Sequence, residues 1–300
     1  MSASATYQVR HETTYRYSGD VVHSHQLLHL TPRDSFRQTC LSHDLSIQPG
    51  ATHSTSDIDA FGNPVLRVEI DRKHEALSVV AQMAVEVRSV ADRECKSEAW
   101  ERVRGQLMYS GRPIGAERLK AMRFRNESPH VRIKQAMTDY AAECFPAGRS
   151  LIDCADSLMH KLHDEMTYAP GETSVSTSLM EVLEKRRGVC QDYAHLMIAC
   201  LRSRGLAARY VSGYLRTVPA AGDKALVGAD ASHAWVAVYC PLAGWVEFDP
   251  TNGVRADTDH ITLAWGRDFS DVSPLRGVIV GGGQHQLSVS VSVRPTRDEQ

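Results

Sequence analysis

The sequence predicts an α+β protein built from two unlike halves: a β-sandwich-like N-terminal domain, then a core in which helices precede strands. Three observations predict it. Short runs rich in strand formers, divided by turn residues, fill the first ninety positions. Apolar residues at helical spacing begin just after Ser150. Strand-like runs return from Ala208, and an alternating apolar pattern closes the chain.

In chain order, Tyr7–Thr13, Leu45–Ile47, Val65–Ile70 and Leu77–Val87 read as strands. Ser18-Gly19-Asp20, Pro49-Gly50 and Gly62-Asn63-Pro64 read as the turns between them, a spacing suited to a sandwich or partial barrel over residues 1–90. Residues 91–149 read as a partly helical connector broken by Pro113, Pro129 and Pro146. A core follows over 150–265. Leu151, Ala155, Leu158, Leu162 and Met166 mark one amphipathic helix, and Ser178–Leu183 a second with Gly188 as its stop. A third begins at Cys190, with Tyr193, Ala194, Met197, Ile198 and Leu201 on one face and Gly205 at its end. Because Leu196, Ala199 and Cys200 fill the rest of its circumference, it is expected to be buried nearly all round. Strands are expected over Ala208–Leu215, His233–Tyr239 and Trp245–Phe248. In the segment 266–300, Leu287, Val289, Val291 and Val293 alternate with serines as a half-buried strand, expected to return to the N-terminal sheet behind the connector Gly281-Gly282-Gly283.

Composition narrows the function. The chain has 300 residues, 42% hydrophobic and 23% charged, with a formal charge of −2. These values suit a globular protein and give no basic excess for nucleic acid or a membrane surface. Met1–Tyr7 shows no signal-peptide pattern, and no run approaches the ~18 apolar residues of a membrane span. Seven cysteines occur without a Cys-x-x-Cys pair, which argues against zinc and for a reduced, cytoplasmic chain. Of the 14 histidines, His23, His25 and His29 have metal-like spacing. With no further ligand evident, neither metal nor cofactor is expected.

One stretch carries chemistry: Arg187-Gly188-Val189-Cys190-Gln191-Asp192-Tyr193-Ala194-His195 places a cysteine where a loop enters a helix. A helix N-terminus or a neighbouring imidazolium stabilises a thiolate. Gly188 is expected to let the backbone turn sharply there. His233 opens one strand and Asp249 closes the next. If their hairpin is symmetric about residue 241, the two side chains stand directly opposite on one face, within hydrogen-bond reach. A one-residue slip would separate them. Cysteine, imidazole and carboxylate are the parts of a nucleophilic acyl-transfer site. Tyr193 and Trp235 are candidate substrate-lining residues, with core packing as their other reading, which Trp245 shares. Asp192 and Asp230 read as caps or surface groups, and His160 and His163 as solvated.

Gly188–His195 with Arg202–Tyr214, then Ala231–Trp235, then Gly244–Asn252 resemble the three blocks of the transglutaminase-like superfamily, in order. Tyr15-Arg16-Tyr17, Leu30–Arg33, Asp59–Asn63 and Gly266–Pro274 are similar to the bacterial branch with an N-terminal β domain. The resemblance implies a papain-like core with the cysteine helix packed on an antiparallel sheet. It puts the family's nucleophile on Cys190, its histidine on His233 and its aspartate on Asp249. The implied activity is a thiol-dependent peptide or amide hydrolysis or acyl transfer through a thioester, on a peptide or protein substrate. The rival expectation is a peptide-binding module on an inactive scaffold. Substrate identity and oligomeric state are not legible.

Overall fold

The computed structural model describes residues 4–90, 96–109, 111, 113–217, 226–228 and 231–296. Cys95, Asp230 and the first three residues lie outside that set.

Five strands open the chain: β1 (Ser4–Leu28), β2 (Gln38–Gln48), β3 (His53–Ile58), β4 (Pro64–Ile70) and β5 (His74–Arg88). Ser18-Gly19-Asp20 has the composition of a turn, but β1 runs through it for 25 residues. The irregularity is absorbed as a register shift against β5 between Arg16 and Val21. Such a bulge bends a strand without ending it. β1 becomes the spine of the order β2-β5-β1-β4-β3.

The expected connector carries α1 (Trp100–Gln106), α2 (Ala116–Met122) and α3 (Gln135–Tyr140). It is part of the core, because Trp100, Val103, Leu107, Phe124, Val131 and Met137 are buried in the main apolar cluster. Next comes α4 (Leu151–Glu165), started by Ser150, whose hydroxyl accepts from the Asp153 N–H at 3.2 Å. Then follow β6 (Thr167–Tyr168), α5 (Leu179–Lys185) and β7 (Arg187–Gly188). Arg186, at φ 55°, ends α5 two residues before the expected stop at Gly188.

The core ends in α6 (Cys190–Ser203), β8 (Ala208–Leu215), β9 (His233–Cys240), β10 (Gly244–Asp249), β11 (Val254–Arg255) and β12 (His260–Gly266). The strands form an antiparallel sheet in the order β11-β10-β9-β8-β12, with α6 against β8 and β9. Every residue of β8 and β9 is buried. Ala234, Val236 and Val238 join the main cluster with α6, while Trp235 and Ala237 join a second one with Val211 and Ala256. Alternation along β9 therefore feeds two cores. After α7 (Phe269–Val272), β13 (Leu275–Gly281) and β14 (His285–Pro295) both pair antiparallel with β1, completing a seven-stranded sheet. In β14, Val291 and Val293 are buried but Leu287 and Val289 are exposed, so half of the strand overhangs the core. Among the described residues, no helix is long and apolar enough to cross a membrane.

Candidate active site

Cys190 is the first residue of α6 and is half-buried. Val189 before it is extended, and Asp192 caps the helix: its carboxylate accepts from the Val189 N–H at 2.8 Å and from the Thr173 hydroxyl at 2.7 Å. Burial pushes the Asp192 carboxyl up, while those two hydrogen bonds hold it down. The amides of the first helical turn have no helical carbonyl to serve. Gly188 is there for space, since its backbone is not left-handed. A Cβ at that position would lie 2.6 Å from Asp192 Oδ2 and 2.7 Å from Asp192 Cβ. We therefore expect Gly188→Ala to lose the cap and overpack the helix start, costing about 2–4 kcal/mol. Urea unfolding checks this; an unchanged midpoint would mean that Asp192 can move aside.

The hairpin β9–β10 brings His233 to Asp249. Its register pairs Gly244 with Cys240 and Phe248 with Val236. The symmetry point is thus residue 242, not 241. Continued, this register sets Asp249 opposite Trp235 and makes His233 its diagonal neighbour. The cause is a three-residue loop, 241–243, followed by Gly244 at φ 78°, a common hairpin closure. A shift of two keeps both side chains on one face. His233 Nε2 lies 2.8 Å from Asp249 Oδ2, and both side chains are fully buried.

Asp249 is held by five donors. Oδ1 accepts from the backbone N–H groups of Thr251 (3.0 Å) and Asn252 (3.2 Å). Oδ2 accepts from His233, from His260 Nε2 at 3.1 Å and from Asn252 Nδ2 at 2.7 Å. Burial alone would raise the Asp249 carboxyl, but the two imidazoles outweigh it and hold it far below the usual range. For His233 burial likewise acts first, favouring the neutral ring; Asp249 and then the Cys190 thiol reverse this and raise its pKa to about 10. The second ring nitrogen, Nδ1, has no hydrogen-bond partner among the described residues. A Cβ on Gly228 would lie 2.9 Å from Nδ1 and 3.7 Å from the Tyr168 hydroxyl, so these groups bound one small space beside the imidazole. Asn252 Oδ1 fixes that loop by accepting from the Val227 N–H at 2.8 Å.

His233 and Asp249 thus pair directly, and Cys190 stands close enough to His233 to favour its charged form. Among the described residues, Tyr193 and Trp235 pack inside rather than lining a cleft. Trp235 is fully buried, its indole N–H donating to Glu247 at 2.9 Å, and Tyr193 is 2% exposed. Both take the packing role because α6 and β9, which carry them, are buried between the main apolar cluster and the second one. His260, Tyr168 and the pinning role of Asn252 are additions. Asn252 stood in a quoted motif; His260 and Tyr168 carried no signal.

The histidine cluster also changes. His29 is buried against Asp59 and Ser273, away from the others. His23 Nε2 and His25 Nε2 lie 2.8 Å apart, and Glu69 Oε1 is 3.7 Å from the former. β1–β4 pairing supplies this third group, which the sequence alone did not, and two imidazoles with a carboxylate could hold a divalent ion.

A thiol at a helix start, a buried imidazole and a carboxylate, carried on a helix-and-antiparallel-sheet core, define the class. The chain belongs to the transglutaminase-like superfamily. The model of that superfamily matches residues 138–250, and the bacterial transglutaminase-like N-terminal region matches residues 7–86. The chain is 37% identical over 304 residues to the uncharacterized protein Rv2569c of Mycobacterium tuberculosis, covering 98% of this chain and 94% of that one. A protein-glutamine gamma-glutamyltransferase of Pseudomonas aeruginosa is 39% identical over 129 residues, 41% of this chain and 19% of that protein. Among solved structures, a candidate cysteine protease from Cytophaga hutchinsonii shares the fold, with a TM-score of 0.76 at 18% identity over 100% of this chain and 93% of that one.

Proposed function

We propose that the protein is a cysteine-dependent hydrolase or acyl transferase acting on amide or peptide bonds. The observation that carries the reading is the buried His233, held at 2.8 Å by Asp249 on one nitrogen and set against the half-buried Cys190 thiol. In this reading the Cys190 sulfur attacks the carbonyl carbon and the S–C bond forms. The oxyanion is received by N–H groups at the start of α6. His233 gives its proton to the departing amine as the C–N bond breaks, which leaves a thioester. Water or a second amine then attacks the thioester, loses its proton to His233 and releases the sulfur. The name of the Pseudomonas relative favours an amine as acceptor and that of the Cytophaga protein favours water. A cavity of about 400 Å³ beside Gln191, lined also by Ser176, Thr177 and His130, is suited to part of a chain-like substrate.

The test is a peptide-library digest with and without an added primary amine, read by mass spectrometry. New termini indicate hydrolysis and mass-shifted glutamine or terminal carbonyls indicate transfer. Either signal should vanish after iodoacetamide treatment. Neither signal, at high enzyme and long incubation, would defeat the reading.

A further inference from the structure

Two buried arginines sit at the two ends of the α6–β8 connection, and they are treated very differently. Arg202 donates to the carbonyls of Phe124, Asn126, Ala208 and Arg267 and to the Ser128 hydroxyl. Arg209 is also buried, at 6% exposure, yet makes no hydrogen bond among the described residues, and its Nε is buried without a partner. Its guanidinium lies between two indoles, 4.2 Å from the Trp245 ring centre and 3.6 Å from that of Trp265. Stacking holds a cation in place without using its in-plane N–H donors. Burial of a charge without hydrogen bonds is costly, and burial lowers the Arg209 pKa to about 9.

Arg209 lines a cavity of about 1210 Å³ between the N-terminal sheet and the core. Among the described residues, six basic side chains line it: Arg33, Arg37, Arg88, Lys120, Arg123 and Arg209. Among the described residues two carboxylates do, and each is already engaged, Glu117 by Lys120 at 2.8 Å and Glu247 by Arg37 at 2.9 Å. Arg33 stacks on Trp265 at 3.4 Å, and its Nε and that of Arg37 are buried without partners as well. Three guanidinium groups around one space therefore keep unused donors. A guanidinium fork fits the two oxygens of a carboxylate or phosphate. We propose that this cavity is a binding site for a small polyanion bearing phosphate or carboxylate groups, with Arg209 as the central ligand. The site is separate from the Cys190 thiol but borders the triad, because His260 both lines the cavity and donates to Asp249.

The test is isothermal titration of the full chain with inorganic pyrophosphate and, separately, with citrate at low ionic strength. It reads binding and so stands apart from any turnover by Cys190. We expect one saturable site for at least one anion, weakened at least tenfold when salt is raised to about 0.5 M. Binding of one anion alone distinguishes phosphate from carboxylate as the preferred group. Arg209→Gln should weaken binding by about tenfold to a hundredfold, the worth of a charged hydrogen bond. Should that variant fail to fold, the rim double variant Lys120→Gln/Arg123→Gln should still bind several-fold more weakly. Absence of saturable binding to either anion, or wild-type affinity in the folded variants, would overturn the proposal.

Discussion

Replacing Cys190 by alanine should reduce turnover below about one ten-thousandth of the wild-type rate, the scale on which nucleophile deletions act. The fold should survive. Cys190 is half-buried, and no described hydrogen bond of the helix start uses its sulfur. The cap is made by Asp192 and Thr173, and the His233–Asp249 pair is held by Thr251, Asn252 and His260. The melting temperature should therefore stay within about 2 °C of wild type. This combination is diagnostic. A scaffold that only binds peptides would keep its affinity and have no turnover to lose. Substantial activity in a folded Cys190→Ala protein, measured on whichever peptide the library identifies, would remove the thioester from the mechanism.

The sequence displayed the chemistry more clearly than the geometry around it. Cys190, His233 and Asp249 stood out because their residue types and order have few other uses together. That His233 and Asp249 share a face was legible from parity along two strands. Their diagonal offset was not, because it depends on a three-residue loop closing with Gly244 in the left-handed region. His260 reaches Asp249 by a tertiary contact that no periodicity announces. Gly188 was visible as a special position, but its reason is the Asp192 carboxylate, a contact known only once the helix start is built. The 25-residue β1 was hidden by a glycine-containing triplet that has the composition of a turn and the structure of a bulge. Burial was overestimated in β14 for Leu287 and Val289, since alternation shows a strand but not how far its neighbours extend.

Asp249→Asn should leave a folded protein with kcat lowered by about a thousandfold to ten-thousandfold. Oδ1 faces two backbone N–H groups, which cannot change role. The amide of asparagine must therefore place its oxygen there and its NH₂ where Oδ2 was. That NH₂ then meets His233 Nε2, formerly a donor at 2.8 Å, and pairs with it only if Nε2 gives up its proton. The ring would adopt the other tautomer and present N–H at Nδ1, the nitrogen facing the site, so it could not accept a proton from sulfur. The charge balance shifts in the same sense. Burial lowers the His233 pKa more strongly than any other single influence, and Asp249 is the chief group that opposes it. Without that carboxylate the ring gives up its proton at lower pH, whereas Asp249 and Cys190 together raise the wild-type ring to about 10. Activity requiring the imidazolium should thus persist in the wild type up to an alkaline limb near that value, and the limb should move to lower pH in the variant. A kcat/KM profile over pH 5–11 for both proteins measures the two effects together. Activity in Asp249→Asn within tenfold of wild type, with an unmoved alkaline limb, would show that Asp249 neither orients nor charges His233.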